Sequence, residues 1–166
     1  MEEIIRGLYL GSDDDVAEAK RRGYARLCCC KDGIDSHRSM LEYEGRSAPD
    51  GKDYYFARRG DVMALNLIDV EDPDMIPDKV IDAGLKFIKE MQDKGRILLV
   101  HCNAGHSRSP IMVLMYLRAV HELPESFPRA EKIFRTIYDK YDPGVGMKSH
   151  ARVRWKSLNT FFPQPN

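Results

Sequence analysis

Apolar and polar positions change rhythm several times along the chain, and each change marks an expected element. The opening Ile4-Ile5-Arg6-Gly7-Leu8-Tyr9-Leu10-Gly11 alternates loosely and is punctuated by glycines, which predicts a short strand pair or an extended arm. Ser12 offers an N-cap and Asp13, Asp14 and Asp15 place negative charge on a first turn, so a helix is expected to about Arg22, with Gly23 as its stop. Leu27 to Cys30 reads as a buried strand. From residue 31 to 60 the chain is polar and weakly periodic, and is read as a long insertion with one turn of helix around Ser39 to Tyr43. Val62 to Val70 alternates again and runs into the acidic stretch Asp69-Val70-Glu71-Asp72-Pro73-Asp74. Val80, Ile81, Gly84, Leu85, Ile88 and Met91 then share one helical stripe, opened by Pro77-Asp78 and closed by Gly95.

Ile97 to Val100 is continuously apolar, as in a strand covered on both faces, and leads into His101-Cys102. Helices are expected from Pro110 to about His121, from Ser126 to Tyr141 and from Met147 to Phe161. Strands and helices in this succession predict an α/β domain, with a central sheet of four or five strands flanked by helices. At 166 residues the whole chain, 1–166, fits one such domain.

Composition narrows the functional classes. Lys plus Arg and Asp plus Glu number 26 each, so no bulk charge favours nucleic acid or an anionic membrane. The longest apolar run, Ile111 to Leu117, is far short of the roughly 20 residues of a membrane span. Met1-Glu2-Glu3 starts no secretory signal, so the compartment expected is the cytoplasm. Cys28, Cys29 and Cys30 are consecutive and Cys102 stands far away, which suits neither a disulfide framework nor a CxxC zinc site. The triplet reads first as compact core packing in a reduced protein.

The chemistry lies in His101-Cys102-Asn103-Ala104-Gly105-His106-Ser107-Arg108-Ser109-Pro110, between a buried strand and a helix. Gly105 permits a tight path in which backbone N–H groups point inward, and a helix starting near Arg108 aims its positive end at the same point. That makes an anion cradle of phosphate size. The same donors stabilise a thiolate, so Cys102 is expected to titrate well below the ordinary thiol value of about 8.5. A metal site would have to pack His101, Cys102 and His106 into one turn with no further ligand nearby, and no metal is expected.

This segment resembles the signature loop of the cysteine-dependent protein tyrosine phosphatase superfamily, HCxxGxxRS/T, in the HCxAGxSRSP form of the small dual-specificity phosphatases. Gly7-Leu8-Tyr9-Leu10-Gly11 resembles that family's opening, and the insertion at 31–60 is the departure from it. The resemblance implies the phosphatase fold and hydrolysis of phosphotyrosine and phosphoserine/phosphothreonine in proteins through a cysteinyl phosphate, without metal or organic cofactor. Its partner is then a phosphorylated protein or peptide. Cys102 is implied as nucleophile, Arg108 as phosphate clamp, Asn103, Ala104, Gly105, His106, Ser107 and Arg108 as the cradle, and Ser109 and His101 as supports. It also implies a general acid about thirty residues earlier. Asp69 stands 33 positions before Cys102 and Asp72 stands 30 before it. Asp69 is favoured because it ends the alternating strand in phase with Leu65 and Leu67; Asp72 is the alternative and Asp74 the outsider. Some relatives carry a resolving cysteine, which makes Cys28 or Cys30 a candidate redox partner of Cys102.

Three other readings stay open. A phosphoinositide phosphatase or an RNA 5′-triphosphatase would share the loop, and Arg58-Arg59-Gly60 is a local basic patch that could meet extra phosphates. A phosphate-binding module without catalysis would lack the cysteine or the acid, and this chain has both. The pattern fixes no oligomeric state.

Overall fold

The structure is a computed structural model that describes residues 1–163. Its centre is the strand β6, Leu98–Cys102, every residue of which is buried. Leu98 and Val100 face the main core, while Leu99 faces a smaller cluster with Val16 and Ala19, backed by Tyr9 and Tyr24. Burial on both faces explains the unbroken apolar run.

The other strands are β1 Glu2–Ile5, β2 Leu8–Ser12, β3 Ala25–Cys28, β4 Phe56–Arg59 and β5 Val62–Leu65, in the spatial order β1-β2-β6-β3-β5-β4. The four inner strands run parallel and each edge strand is antiparallel to its neighbour. The α/β class holds, and the sheet has six strands rather than four or five. The unexpected strand is β4, inside the stretch read as an insertion. It was hard to see because an edge strand of four residues buries only Ala57 and leaves its arginines exposed.

The helices are α1 Val16–Arg21, α2 His37–Leu41, α3 Asp78–Asp93, α4 Arg108–Ala119, α5 Phe127–Ile137 and α6 Val145–Arg154. From Ser109 to Ala119 every residue of α4 is buried, so the helix is enclosed on all sides rather than along a stripe, with Arg118 bonded to the Trp155 and Leu123 carbonyls. α1 is shorter than expected because Asp13–Asp15 form a separate 3-10 turn, held by the Ser12 N–H donating to Asp15 Oδ2 at 2.9 Å. No helix of the described residues is long and apolar enough to cross a membrane.

Residues 31–60 are ordered by their own contacts. Ser36 caps α2 by accepting from the Ser39 N–H, which sets the helical turn at His37–Leu41 rather than Ser39 to Tyr43. Fully buried His37 ties the stretch together: its Nε2 lies 2.7 Å from the Asp53 carbonyl and its Nδ1 lies 3.1 Å from the Tyr43 hydroxyl. Arg58 forks onto Glu90 of α3 through two 2.7 Å bonds, and Arg59 donates to the Met40 carbonyl. The basic pair of the insertion is thus spent on holding the sheet edge.

Candidate active site

β6 delivers Cys102 at its last position and α4 begins at Arg108, so the segment between them must turn within five residues. Gly105 takes φ +75°, and a Cβ there would sit 2.9 Å from the Gly11 carbonyl oxygen. The surrounding elements hold the turn by its carbonyls. Asp13 N–H donates to the Asn103 carbonyl at 3.2 Å, Tyr138 O–H to Gly105 at 2.8 Å and Asp142 N–H to His106 at 2.9 Å. Gly144 N–H adds a bond to Ser107 Oγ at 2.8 Å. Among the described residues, no N–H of Asn103, Ala104, Gly105, His106 or Ser107 has a protein acceptor. A loop with most of its carbonyls occupied and its amides free at the start of a buried helix suits an anion.

Cys102 is 2 % exposed, and the Ser109 hydroxyl lies 3.1 Å from its Sγ. Arg108 is turned toward Asn103 Oδ1, at 2.6 Å, with a longer contact of 3.4 Å to the Leu67 carbonyl. His101 is fully buried, with Nδ1 3.1 Å from Asp13 Oδ1. Asn103, Ala104 and His106 are exposed at the mouth, while Gly105 and Ser107 are buried.

The surroundings of the thiol oppose the ionisation expected from its loop position. A hydrogen bond with Cys30, then burial, push Cys102 up to about 12, against the opposing pull of Ser109 through its hydroxyl and its N–H. The expected low value overlooked the thiol next door. Cys30 also lies 3.5 Å from Asn103 Oδ1, whereas Cys28 points its Sγ to the Ile34 carbonyl; Cys29 is near enough to feel the charge of Cys102, but the hydrogen bond to it comes from Cys30. All three are fully buried, in keeping with a packing role for the run as a whole.

The two candidate acids differ in what their side chains do. Asp72 accepts from the Asp74 N–H at 2.9 Å and caps the 3-10 turn Pro73–Met75. Asp69 is exposed and lies against Gly144, where a Cβ would come within 2.5 Å of its Oδ1. Gly144, the neighbour of this carboxylate, donates its N–H to Ser107 Oγ of the loop. The reason for its position is not the one expected, because β5 ends at Leu65 and Asp69 belongs to a loop. The start of α6 sets that loop: a side chain on Gly146 would overlap the Val70 carbonyl.

A family model described as the dual specificity phosphatase catalytic domain matches residues 50–144. The chain belongs to the dual specificity phosphatase family. It is 30% identical over 120 residues to human dual specificity protein phosphatase 22, covering 72% of this chain and 55% of that protein. It is 32% identical over 136 residues to mouse dual specificity protein phosphatase 12, covering 81% of this chain and 35% of that one. The chain thus spans about half or less of the length of these curated relatives. In fold it matches a crystal structure of DUSP15 with a TM-score of 0.65 and 20% identity, over 97% of this chain and 91% of that one.

Within this dual specificity phosphatase frame, sequence reasoning overlooked the residues that brace the loop from outside. Tyr138 falls inside the stretch read as a helix from Ser126 to Tyr141, Asp13 reads as the first turn of α1, and the local pattern assigns no role to Gly144 or Gly146. A faint signal was the Gly-x-Gly spacing at the start of a helix, where a close backbone approach is one reason to lack side chains.

Proposed function

We propose that this chain hydrolyses phosphomonoesters of tyrosine, serine and threonine in proteins through a cysteinyl-phosphate intermediate. The observation that carries the reading is the loop of free amides that joins Cys102, with the Ser109 hydroxyl at its Sγ, to Arg108 at the start of the buried helix. In the first step the Cys102 thiolate attacks phosphorus, and the amides of Asn103 to Arg108 take up the phosphoryl oxygens. Arg108, its Nη2 held by Asn103, turns the remaining donors of its planar fork to two of those oxygens. Asp69 at the rim gives its proton to the departing alkoxide or phenolate and later accepts one from the attacking water. Ser109 donates to the sulfur as the thiolate departs in the second step, and His101 supports the loop from below.

The insertion borders the substrate side. A cleft of about 190 Å³ beside Leu67 is lined by Tyr54, Tyr55, Ile68 and Met75, and there the residues flanking the phosphorylated side chain would lie. Arg58 and Arg59 are engaged elsewhere, and Lys31, the cation lining the cleft, donates to the Arg46 carbonyl, so the basic pair is not offered to the additional phosphates of an RNA triphosphate or a phosphoinositide.

The test compares phosphotyrosine and phosphothreonine peptides, a phosphoinositide and triphosphorylated RNA, each with and without chelator. Hydrolysis of the peptides, indifferent to chelator and lost in Cys102→Ser, is the expected outcome. Arg108→Lys should lose about 10²–10³-fold in kcat, as when a transition-state donor is removed. Asp69→Asn should slow an alkyl phosphate by about 10²–10⁴-fold, slow an aryl phosphate less, and flatten the alkaline limb of the profile. Preferential turnover of RNA or lipid, or this signature in Asp72→Asn instead, would overturn the corresponding part of the reading.

A further inference from the structure

Asp13 enters the 3-10 turn directly after β2, and its carboxylate reaches both residues that flank Cys102. Oδ1 lies 3.1 Å from His101 Nδ1, and Oδ2 accepts from Asn103 Nδ2 at 3.0 Å. The Ile34 N–H also donates to Oδ2, at 3.3 Å. The geometry points to Asp13 as a positioning residue for the proposed hydrolysis: one carboxylate fixes the ring of His101 and, through the amide of Asn103, the resting place of the Arg108 guanidinium. The inference rests on the phosphatase reading above.

The amide is the decisive part. Asn103 Nδ2 meets two acceptors, Asp13 Oδ2 and the Asp32 carbonyl at 2.9 Å. Its Oδ1 meets two donors, Arg108 Nη2 at 2.6 Å and the Cys30 thiol at 3.5 Å. Turned by half a rotation, the amide would set its oxygen against two acceptors and its NH₂ against a guanidinium that has no lone pair to offer. Asp13 therefore selects the orientation that presents an oxygen to Arg108. On the other side, an ionised carboxylate can only accept, so His101 Nδ1 must carry a hydrogen, which fixes the ring at the residue before the nucleophile.

Two further observations support the arrangement. Gly33, at φ +137°, occupies the place where the loop after β3 crosses this cluster, and a Cβ there would overlap Asn103 Nδ2 and stand 2.7 Å from Asp13 Oδ2. Burial opposes the charge on Asp13, yet the bonds from His101, Asn103 and Ile34 outweigh it and hold the group below its ordinary value. The acid is thus kept as a carboxylate at the pH where the reaction would run.

The experiment measures kcat/KM on an aryl phosphate, vanadate inhibition and thermal midpoint for wild type, Asp13→Asn, Asn103→Ala, the double variant and Asp14→Asn. Asp14 is exposed and serves as the neighbouring control. Asp13→Asn keeps the shape but turns one acceptor into a donor. Vanadate affinity and kcat/KM should each fall about tenfold, the worth of one hydrogen bond to a charged group, while the thermal midpoint stays near that of Asp14→Asn. The double variant should be no worse than the poorer single, since both act along one path. Kinetics in Asp13→Asn equal to those of Asp14→Asn, or losses that multiply in the double variant, would overturn the inference. Should Asp13→Asn fail to fold, Asn103→Ala at its exposed position carries the test, and unchanged vanadate affinity there overturns the inference equally. Failure of the phosphatase reading shows separately, as wild type with no Cys102-dependent turnover.

Discussion

Replacing Gly105 by alanine tests the path of the active loop most directly, because two costs follow from its place in the fold. The residue holds φ +75°, where an L side chain loses about 1–2 kcal/mol. The new methyl would also stand 2.9 Å from the Gly11 carbonyl oxygen and 3.1 Å from the Tyr138 hydroxyl. Gly11 pairs with His101 inside the sheet and has little freedom to yield, so the loop must move away from it. That movement breaks the 2.8 Å bond from Tyr138 to the Gly105 carbonyl and strands buried polar groups, at about 1–3 kcal/mol. Together these come to about 2–5 kcal/mol, which for a domain of this length lowers the thermal midpoint by about 5–15 °C. The catalytic loss should be larger in proportion, because an anion cradle displaced by about 1 Å can cost about 100-fold in rate. Differential scanning calorimetry and kcat/KM on an aryl phosphate read the two effects. A midpoint within about 2 °C of wild type together with unchanged turnover would refute the proposed bracing, since no loop with this contact could absorb the methyl so cheaply.

Other outcomes follow from the same contacts. Cys30 is the leading influence raising Cys102, so Cys30→Ala should shift the pH midpoint for alkylation of Cys102 downward; an unchanged or higher midpoint would remove Cys30 from that role. Mild peroxide should inactivate the enzyme reversibly with a Cys102–Cys30 disulfide in the peptide map, and recovery by reductant that survives replacement of Cys28, Cys29 and Cys30 would leave the triplet as packing alone. Burial lowers His37 below its ordinary 6.5, so the unfolded chain binds the extra proton first. Its contribution is complete above that value and is lost as pH falls below it. Thermal midpoints recorded down to about pH 5 should therefore drop more steeply for wild type than for His37→Gln, and parallel slopes would contradict this.

The fold was legible wherever one pattern served one purpose. β6 and α4 are wrapped by the core, so most of their residues are apolar for a single reason, and both were visible to within a turn. β4 was not, because an edge strand shows its polar side to solvent and borrows its order from elsewhere. Its Arg58 is held by Glu90, 32 residues away, a pairing that no local pattern announces.

The candidate site divides along the same line. Cys102 to Arg108 form one continuous segment whose spacing already carries its chemistry, whereas everything that braces it comes from far along the chain. Asp13 lies 88 residues from His101 and 90 from Asn103. Read locally, a run of three aspartates before a helix is accounted for by the helix dipole, and the explanation looks finished. Only the parallel pairing of β2 with β6, which sets Ser12 opposite Cys102, carries the residue after Ser12 to the active loop. Asp69 presents the converse. The alternation of Leu65 and Leu67 puts it at a strand end, yet the strand stops at Leu65, and what gives its carboxylate and the Val70 carbonyl room beside α6 is the absence of side chains at Gly144 and Gly146. A sequence displays the residues that perform chemistry more readily than the ones that make room for it, because a glycine that admits a neighbour looks like any other glycine until the neighbour is known.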